Sequence, residues 1–333
     1  MFVMICLTIF DFIIGGIGAF LVARRGYSWG LVDFPNERSS HRIAVPKGGG
    51  IGLLVVFAVN AVFWHIPFTL WISACIVSLV SFIGDYKDIS FKIRLAVQAG
   101  AAAIFSGSIF LGKTFPTIPF GISVVLFLGG ILFITATANF YNFMDGINGI
   151  AGATGVIAFS SLGIVGLLEH KEIGCVMPAF GIAAACLGFL PLNFPKAKVF
   201  MGDVGSVLLG FLFASWVLWI SQSLPEFVAL MSFLFPFYLD EIGTLLVRIK
   251  ERDKLMKAHR RHIYQILVNH AGFSHKCVTL AYSVIQIGIA VLSWVAMKEG
   301  FLYLIIILAL FSVILFFAGS YIRHRWEGEQ LKT

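Results

Sequence analysis

Runs of about 20 apolar residues recur along the whole chain, and that length crosses a hydrocarbon core roughly 30 Å thick. Eleven such runs are read at 3–23, 48–64, 68–84, 93–111, 121–138, 149–168, 174–192, 204–221, 226–247, 278–297 and 301–322. With 34 phenylalanines among 333 residues and only 12% charged residues, little is left for a water-soluble surface. The pattern predicts an all-α polytopic membrane protein, a single integral domain over residues 1–333, and excludes a soluble globular domain.

Eleven spans leave alternate connections on opposite sides of the membrane, and the positive charge sorts between them. The connections 24–47, 85–94, 139–148, 193–203 and 248–277, with the tail after 322, hold 21 of the 24 Lys and Arg residues. The other side holds only Lys113, Lys171 and Lys298. Excess Lys and Arg marks the cytoplasmic face, which predicts an N-out, C-in chain in a cytoplasmic membrane. The first positive charges, Arg24 and Arg25, follow the first apolar run, so that run is expected to be retained as a helix. Five scattered cysteines without CxxC spacing read as small buried side chains, not as a disulfide or zinc framework.

The polar chemistry gathers on the same side as the charge. Asn139-Phe-Tyr-Asn142-Phe-Met-Asp145-Gly146-Ile-Asn148-Gly149 places three amides, a carboxylate and two glycines between two apolar runs. Amide and carboxylate oxygens suit a hard cation, and glycines admit a ligand close to the backbone. Phe200-Met-Gly202-Asp203-Val-Gly205-Ser206 puts a carboxylate at a loop-to-helix junction, where it either ligates a cation beside phosphate or simply caps the helix. His259-Arg260-Arg261-His262 sits in a loop of eight basic residues. Anionic lipid accounts for the general positive charge there, but two histidines bracketing two arginines suggest phosphate contacts.

Two further clusters carry weaker signals. Gly84-Asp85-Tyr86-Lys87-Asp88, followed by Lys92 and Arg94, is mixed charge at a span end. Asp33 to His41 leads into Pro46-Lys47-Gly48-Gly49-Gly50, where the glycines serve either phosphate approach or tight helix packing. Asp240 and Glu241, late in the ninth run, are ionisable groups in apolar surroundings, with Asp240 the candidate supporting residue.

Taken together, residues 33–275 resemble the polyprenyl-phosphate N-acetylhexosamine-1-phosphate transferases, a glycosyltransferase family 4 type of enzyme. The 139–149 loop resembles that family's NxxNxxDGxxG segment, 200–206 its FxGDxGS segment, and 259–262 its histidine-rich loop. The resemblance implies Asp203 as a ligand of Mg²⁺ (with Mn²⁺ as a substitute) and Asn142 as an amide beside the same metal. It implies Phe200 stacked on uracil, Asn148 near the base, Asn139 in the same substrate-binding segment, and Arg94, Arg260 and Arg261 on phosphates. Asp85, Asp145, Asp203, His259 and His262 are the candidate catalytic groups. The family usually shows two adjacent aspartates after the third span, and here the first of them is Gly84. Residues 35–50 and 258–265 look most like O-antigen-initiating enzymes that use 6-deoxy-N-acetylhexosamines.

The implied partners are a UDP-N-acetylhexosamine, undecaprenyl phosphate and membrane lipid, with no nucleic acid, and a homodimer is compatible with such a chain. The expected reaction moves sugar 1-phosphate to the lipid and releases UMP on the cytoplasmic face of the inner membrane, at the start of O-antigen lipopolysaccharide or other cell-wall polysaccharide synthesis. The rival sugar donors are UDP-N-acetylglucosamine and the muramoyl-pentapeptide precursor. A transporter or flippase of anionic lipid or nucleotide sugar is the rival of another class, and it would place ionisable groups on both sides of the membrane. A phosphate monoester has a second pKa of about 6, so the acceptor is mostly dianionic near neutral pH, and Asp85 and Asp145 are expected to position groups instead of taking protons.

Overall fold

The structure is a computed structural model that describes residues 2–35, 40–41, 43–87, 89–112, 119–252 and 260–327. The elements in chain order are α1 (Phe2–Trp29), β1 (Val32–Asp33), β2 (Val45–Pro46), α2 (Ile51–Phe63), α3 (Phe68–Tyr86), α4 (Phe91–Phe110) and α5 (Phe120–Phe143). They continue as α6 (Ile150–Leu168), α7 (Ile173–Asn193), α8 (Asp203–Ile220), α9 (Leu224–Met231), α10 (Phe235–Lys250), α11 (Ile263–Asn269), α12 (His275–Glu299) and α13 (Phe301–Ile322). The all-α polytopic expectation holds. Among the described residues ten helical segments are long and apolar enough to cross a membrane.

Ten long segments, against eleven runs in the sequence, follow from the second run. Its helix α2 has only 13 residues, about 20 Å at 1.5 Å per residue, which is shorter than the hydrocarbon core is thick. The residues lost to the helix are the glycines: Gly49 N–H donates to the Phe200 carbonyl at 2.9 Å and Gly50 N–H to the Met201 carbonyl at 2.8 Å. The ninth run also divides. Helix α9 ends in a 3₁₀ turn at Ser232–Leu234 and α10 restarts with Pro236 in its first turn, a position where proline's missing N–H costs nothing.

Helix α8 is the axis of the bundle. It packs against α3 and α5, and Phe211, Phe213 and Trp216 are fully buried there. Helices α1 and α7 approach so closely that a Cβ on Gly15 would lie 2.7 Å from the Ala185 Cα, and one on Gly188 would strike the Phe12 carbonyl. Small residues at such crossings are how membrane helices maximise van der Waals contact without a hydrophobic drive between them. On the outside, Phe316 and Phe317 of α13 and Leu128 and Leu132 of α5 remain exposed, as a lipid-facing belt requires.

Candidate active site

The five connections on the positively charged side of the chain meet around one cavity of about 370 Å³. Its lining takes Asp33, Ser40, His41 and Lys47 from the first connection and Asp85 from the end of α3. Asn142 and Asp145 to Asn148 come from the α5–α6 corner, Asn193, Phe200, Gly202 and Asp203 from the end of α7 and the segment before α8, and Gln265 and His275 complete the wall. The carboxylates of Asp85, Asp145 and Asp203 therefore share one cavity with the Asn142 amide and the Phe200 ring.

Each of these side chains has a local reason for its place. Helix α8 begins at Asp203, but neither Asp203 nor Gly202 caps it through a side chain. The cap comes from α3: Asp85 accepts from the backbone N–H of Asp203 at 3.2 Å and of Val204 at 3.1 Å. An acidic group at a helix N-terminus satisfies otherwise unpaired N–H donors and meets the positive end of the dipole. This leaves the Asp203 carboxylate free of capping, and it pairs with the guanidinium of Arg94 on α4. Beside it, Ser206 Oγ donates to Asn142 Oδ1 at 2.6 Å and fixes the direction of that amide.

The α5–α6 corner is anchored at several points. Gly149, at φ +86°, starts α6 with a backbone that favours glycine, and its N–H donates to Asn193 Oδ1 at 2.6 Å. Asn148 donates through its N–H to His275 Nδ1 and through Nδ2 to the Pro195 carbonyl, both at 3.1 Å. Phe200 is held by its N–H on the Pro46 carbonyl at 2.8 Å, with the His41 ring edge-on at 4.9 Å. Gly49 and Gly50 before α2 thus serve packing, since a Cβ on Gly50 would lie 2.5 Å from the Gly205 Cα and one on Gly49 2.9 Å from Val199 Cγ2.

Electrostatically the cavity is crowded with acid. Burial first, then the neighbouring Asp203 and Asp85, hold the Asp145 carboxyl well above the usual carboxylate range. Among the described residues no three His, Cys, Asp or Glu groups close into a ready-made coordination sphere. An all-oxygen set of two or three carboxylates and an amide, open on one side, is nonetheless the donor set Mg²⁺ uses when substrate phosphates complete its shell. The residues present fit such an ion.

Residues 67–221, which run from the start of α3 through α8, match the family model described as glycosyl transferase family 4. An undecaprenyl-phosphate alpha-N-acetylglucosaminyl 1-phosphate transferase of Escherichia coli strain K12 is 29% identical over 328 residues, covering 90% of this chain and 85% of that protein. Over residues 67–221, a little under half of its length, the chain is similar to glycosyl transferase family 4. Relatives of the same description in Salmonella typhi and Yersinia pestis are each 29% identical, covering 92% and 90% of this chain and 88% and 86% of their own lengths.

The segment matched by the family model supplies Asp85, Asn142, Asp145, Asn148, Phe200 and Asp203 to the cavity and Arg94 to its edge. Asn139 stands apart, one turn earlier on α5, donating to Gln98 Oε1 and to the Thr135 carbonyl at 2.8 Å. His262, expected from the sequence to meet phosphate, is corrected to a buried helix cap: it starts α11 in a capping box with Gln265 and is 3% exposed. Burial, with the guanidinium groups of Arg323 and Arg248 nearby, pushes its imidazole down to about 3. It is therefore neutral at physiological pH, and no inflection of activity between pH 5 and 8 will belong to it, as a pH profile of His262→Gln against the unaltered protein will test. Arg260 and Arg261 do not line the cavity, and Arg261 pairs with Glu251. His259 lies outside the described residues.

The sequence reading passed over Asn193, Gln265 and His275. Asn193 offered one signal, an amide closing an apolar run. At Gly84, in place of the first aspartate, a Cβ would meet only the Arg94 Cδ, at 3.5 Å. The backbone there leaves room for a larger side chain.

Proposed function

We propose that this chain transfers an N-acetylhexosamine 1-phosphate from a UDP-sugar to undecaprenyl phosphate, with release of UMP. The observation that carries this reading is the single cavity in which Asp85, Asn142, Asp145 and Asp203 face the Phe200 ring, in a chain whose relatives are named for this class of transfer. An oxygen of the lipid phosphate attacks the β-phosphorus of the donor. The bond between that phosphorus and the bridging oxygen breaks, and the electron pair leaves with UMP. The residues' task is to place two anions together and balance charge, because phosphoryl transfer asks little covalent chemistry of a protein.

Asp203 and Asn142 would hold Mg²⁺, which when bound offsets the negative charge of the diphosphate. Arg94, now on Asp203, is the cation that reaches donor phosphate as the pair opens. Asp85 holds the start of α8, and Phe200, with His41 against it, stacks on uracil. The 21-to-3 distribution of Lys and Arg supports an active site on the cytoplasmic face of the inner membrane. A 6-deoxy-N-acetylhexosamine donor and a place in O-antigen synthesis rest on the likeness of residues 35–50 and 258–265 alone.

The test is UMP release by purified protein with undecaprenyl phosphate, Mg²⁺ and a panel of UDP-N-acetylhexosamines. Release that needs the lipid, stops with EDTA and returns with Mg²⁺ is the expected result, and the preferred sugar identifies the donor. Nucleotide binding without UMP from any donor would move the assignment to transport. Phe200→Ala is expected to raise the donor KM by about tenfold or more with a smaller change in kcat, since one base–aromatic stack contributes about 1–3 kcal/mol. An unchanged KM would remove Phe200 from the nucleotide site.

A further inference from the structure

Behind the cavity wall, a buried polar cluster ties the C-terminal helix to the α5–α6 corner through one residue. Asp240, 6% exposed on α10, accepts from the N–H of Ile263 at 2.7 Å and of Tyr264 at 3.3 Å, and from the Tyr282 hydroxyl at 2.6 Å. It therefore holds the first turn of α11 and a side chain of α12 at once. Arg323, just past α13, donates to the Arg261 carbonyl and to Thr244 Oγ1 at 2.7 Å and lies 4.0 Å from Asp240. The element so fixed carries Tyr264, whose ring is fully buried against His262. The Tyr264 hydroxyl crosses to α5 and donates to the Phe143 carbonyl at 2.8 Å. Three residues further on, a Cβ on Gly146 would strike that hydroxyl. Between these two contacts lies Asp145, whose own backbone N–H is held by the Asn142 carbonyl at 3.1 Å.

We propose that Tyr264 is a positioning residue for the reaction: from α11 it fixes the Phe143–Gly146 corner, and so the place of Asp145 and Asn142 in the cavity, while Asp240 and Arg323 hold α11 from behind. The inference rests on the transferase reading of the cavity. Tyr264 touches no reacting group; it acts through the backbone it clamps. A carbonyl held by a hydroxyl on one side and a glycine pressed against the same hydroxyl leave the corner one arrangement, and phosphoryl transfer is sensitive to displacements of about 1 Å. The last helix of the chain is thereby joined to catalysis without contributing a group to the cavity.

The experiment is a double-mutant cycle on the full-length protein with Tyr264→Phe, Gly146→Ala and the pair, read by UMP release and by thermal unfolding in detergent. Tyr264→Phe is expected to lower kcat about tenfold with the donor KM within about twofold, and Gly146→Ala to lower kcat about 100-fold. In the pair the hydroxyl that meets the new methyl is gone, so kcat should rise about fivefold above Gly146→Ala instead of falling further, with a matching recovery of melting temperature. A kcat for Tyr264→Phe within twofold of the unaltered protein, or additive losses in the pair, would overturn the proposal. Tyr264→Phe removes a single hydroxyl in place, so it remains decisive if Gly146→Ala does not fold. Absence of UMP from the unaltered protein would fell the transferase reading and the catalytic role with it, whereas the recovery of melting temperature would persist and mark that failure as distinct.

Discussion

Asp203→Asn is expected to reduce UMP release by about 1,000-fold or more, whereas Asp85→Asn should lose about tenfold and still turn over. Both aspartates face the cavity, but the structure gives them different work. Asp203 stands at the first position of α8 with a carboxylate that caps nothing and meets Arg94. Replacing it with an amide removes the charge that both the guanidinium and a divalent cation require, in a site where preorganised charge is the main source of rate. Asp85 accepts the N–H groups of Asp203 and Val204. An asparagine keeps one oxygen for that task, so the helix start loosens at a cost of about 1 kcal/mol without losing its seat. The measurement is kcat for each variant beside its thermal unfolding curve and nucleotide affinity. Complete loss in Asp85→Asn, with folding and nucleotide binding intact, would make Asp85 a participant in the chemistry.

A positioning role for Asp85 was expected from the sequence, but its means, the capping of α8, was not legible there, and the reason is separation along the chain. Nothing in Gly84-Asp85-Tyr86 announces that this carboxylate caps a helix starting at residue 203, because caps are read from neighbouring positions and this one is supplied across the bundle. The spans were legible because a membrane imposes a length and a composition on each helix separately. The shortness of α2 was not: Gly48-Gly49-Gly50 scores as part of an apolar run, while its backbone is engaged by Phe200 and Met201. The break between α9 and α10 had a signal in Pro236, diluted by apolar residues on both sides.

For the site, the two glycine-bearing segments around Asn142 and Asp203 were legible as one polar cluster, since amides and carboxylates in apolar surroundings need a partner, and they share a cavity. His262 was misread for a related reason. A basic loop next to a membrane has several uses for its charge, and burial decides among them. His262 went inward to cap α11 beside Glu241 at 3.2 Å, a choice that depends on α10 and not on the loop's own residues. Gln265 and His275 reach the cavity only because α11 and α12 fold against the α5–α6 corner.

Gly202→Ala is the second large effect, expected to lower kcat about 100-fold and to destabilise the protein by about 2 kcal/mol or more. Gly202 precedes Asp203 with φ +75° and ψ 165°, a conformation that side chains with a Cβ rarely adopt. The new methyl would also lie 2.7 Å from the Gly48 nitrogen and 2.7 Å from Asp85 Oδ2. The first of these is backbone and cannot rotate away, so the 48–50 strap, the α8 start or the Asp85 carboxylate must move. Each of those movements displaces Asp203 relative to Asn142 and Arg94. The matched control is Gly100→Ala on α4, where a Cβ meets nothing within 4 Å and alanine favours the helix by up to about 1 kcal/mol. Thermal unfolding and kcat of the two variants, measured side by side, separate a general intolerance of the bundle from a demand at this junction. If Gly202→Ala matched Gly100→Ala in both, the seat of Asp203 would be looser than the hydrogen bonds from Asp203 and Val204 to Asp85 imply, and the placement of its carboxylate would have to come from the substrate instead of from the fold.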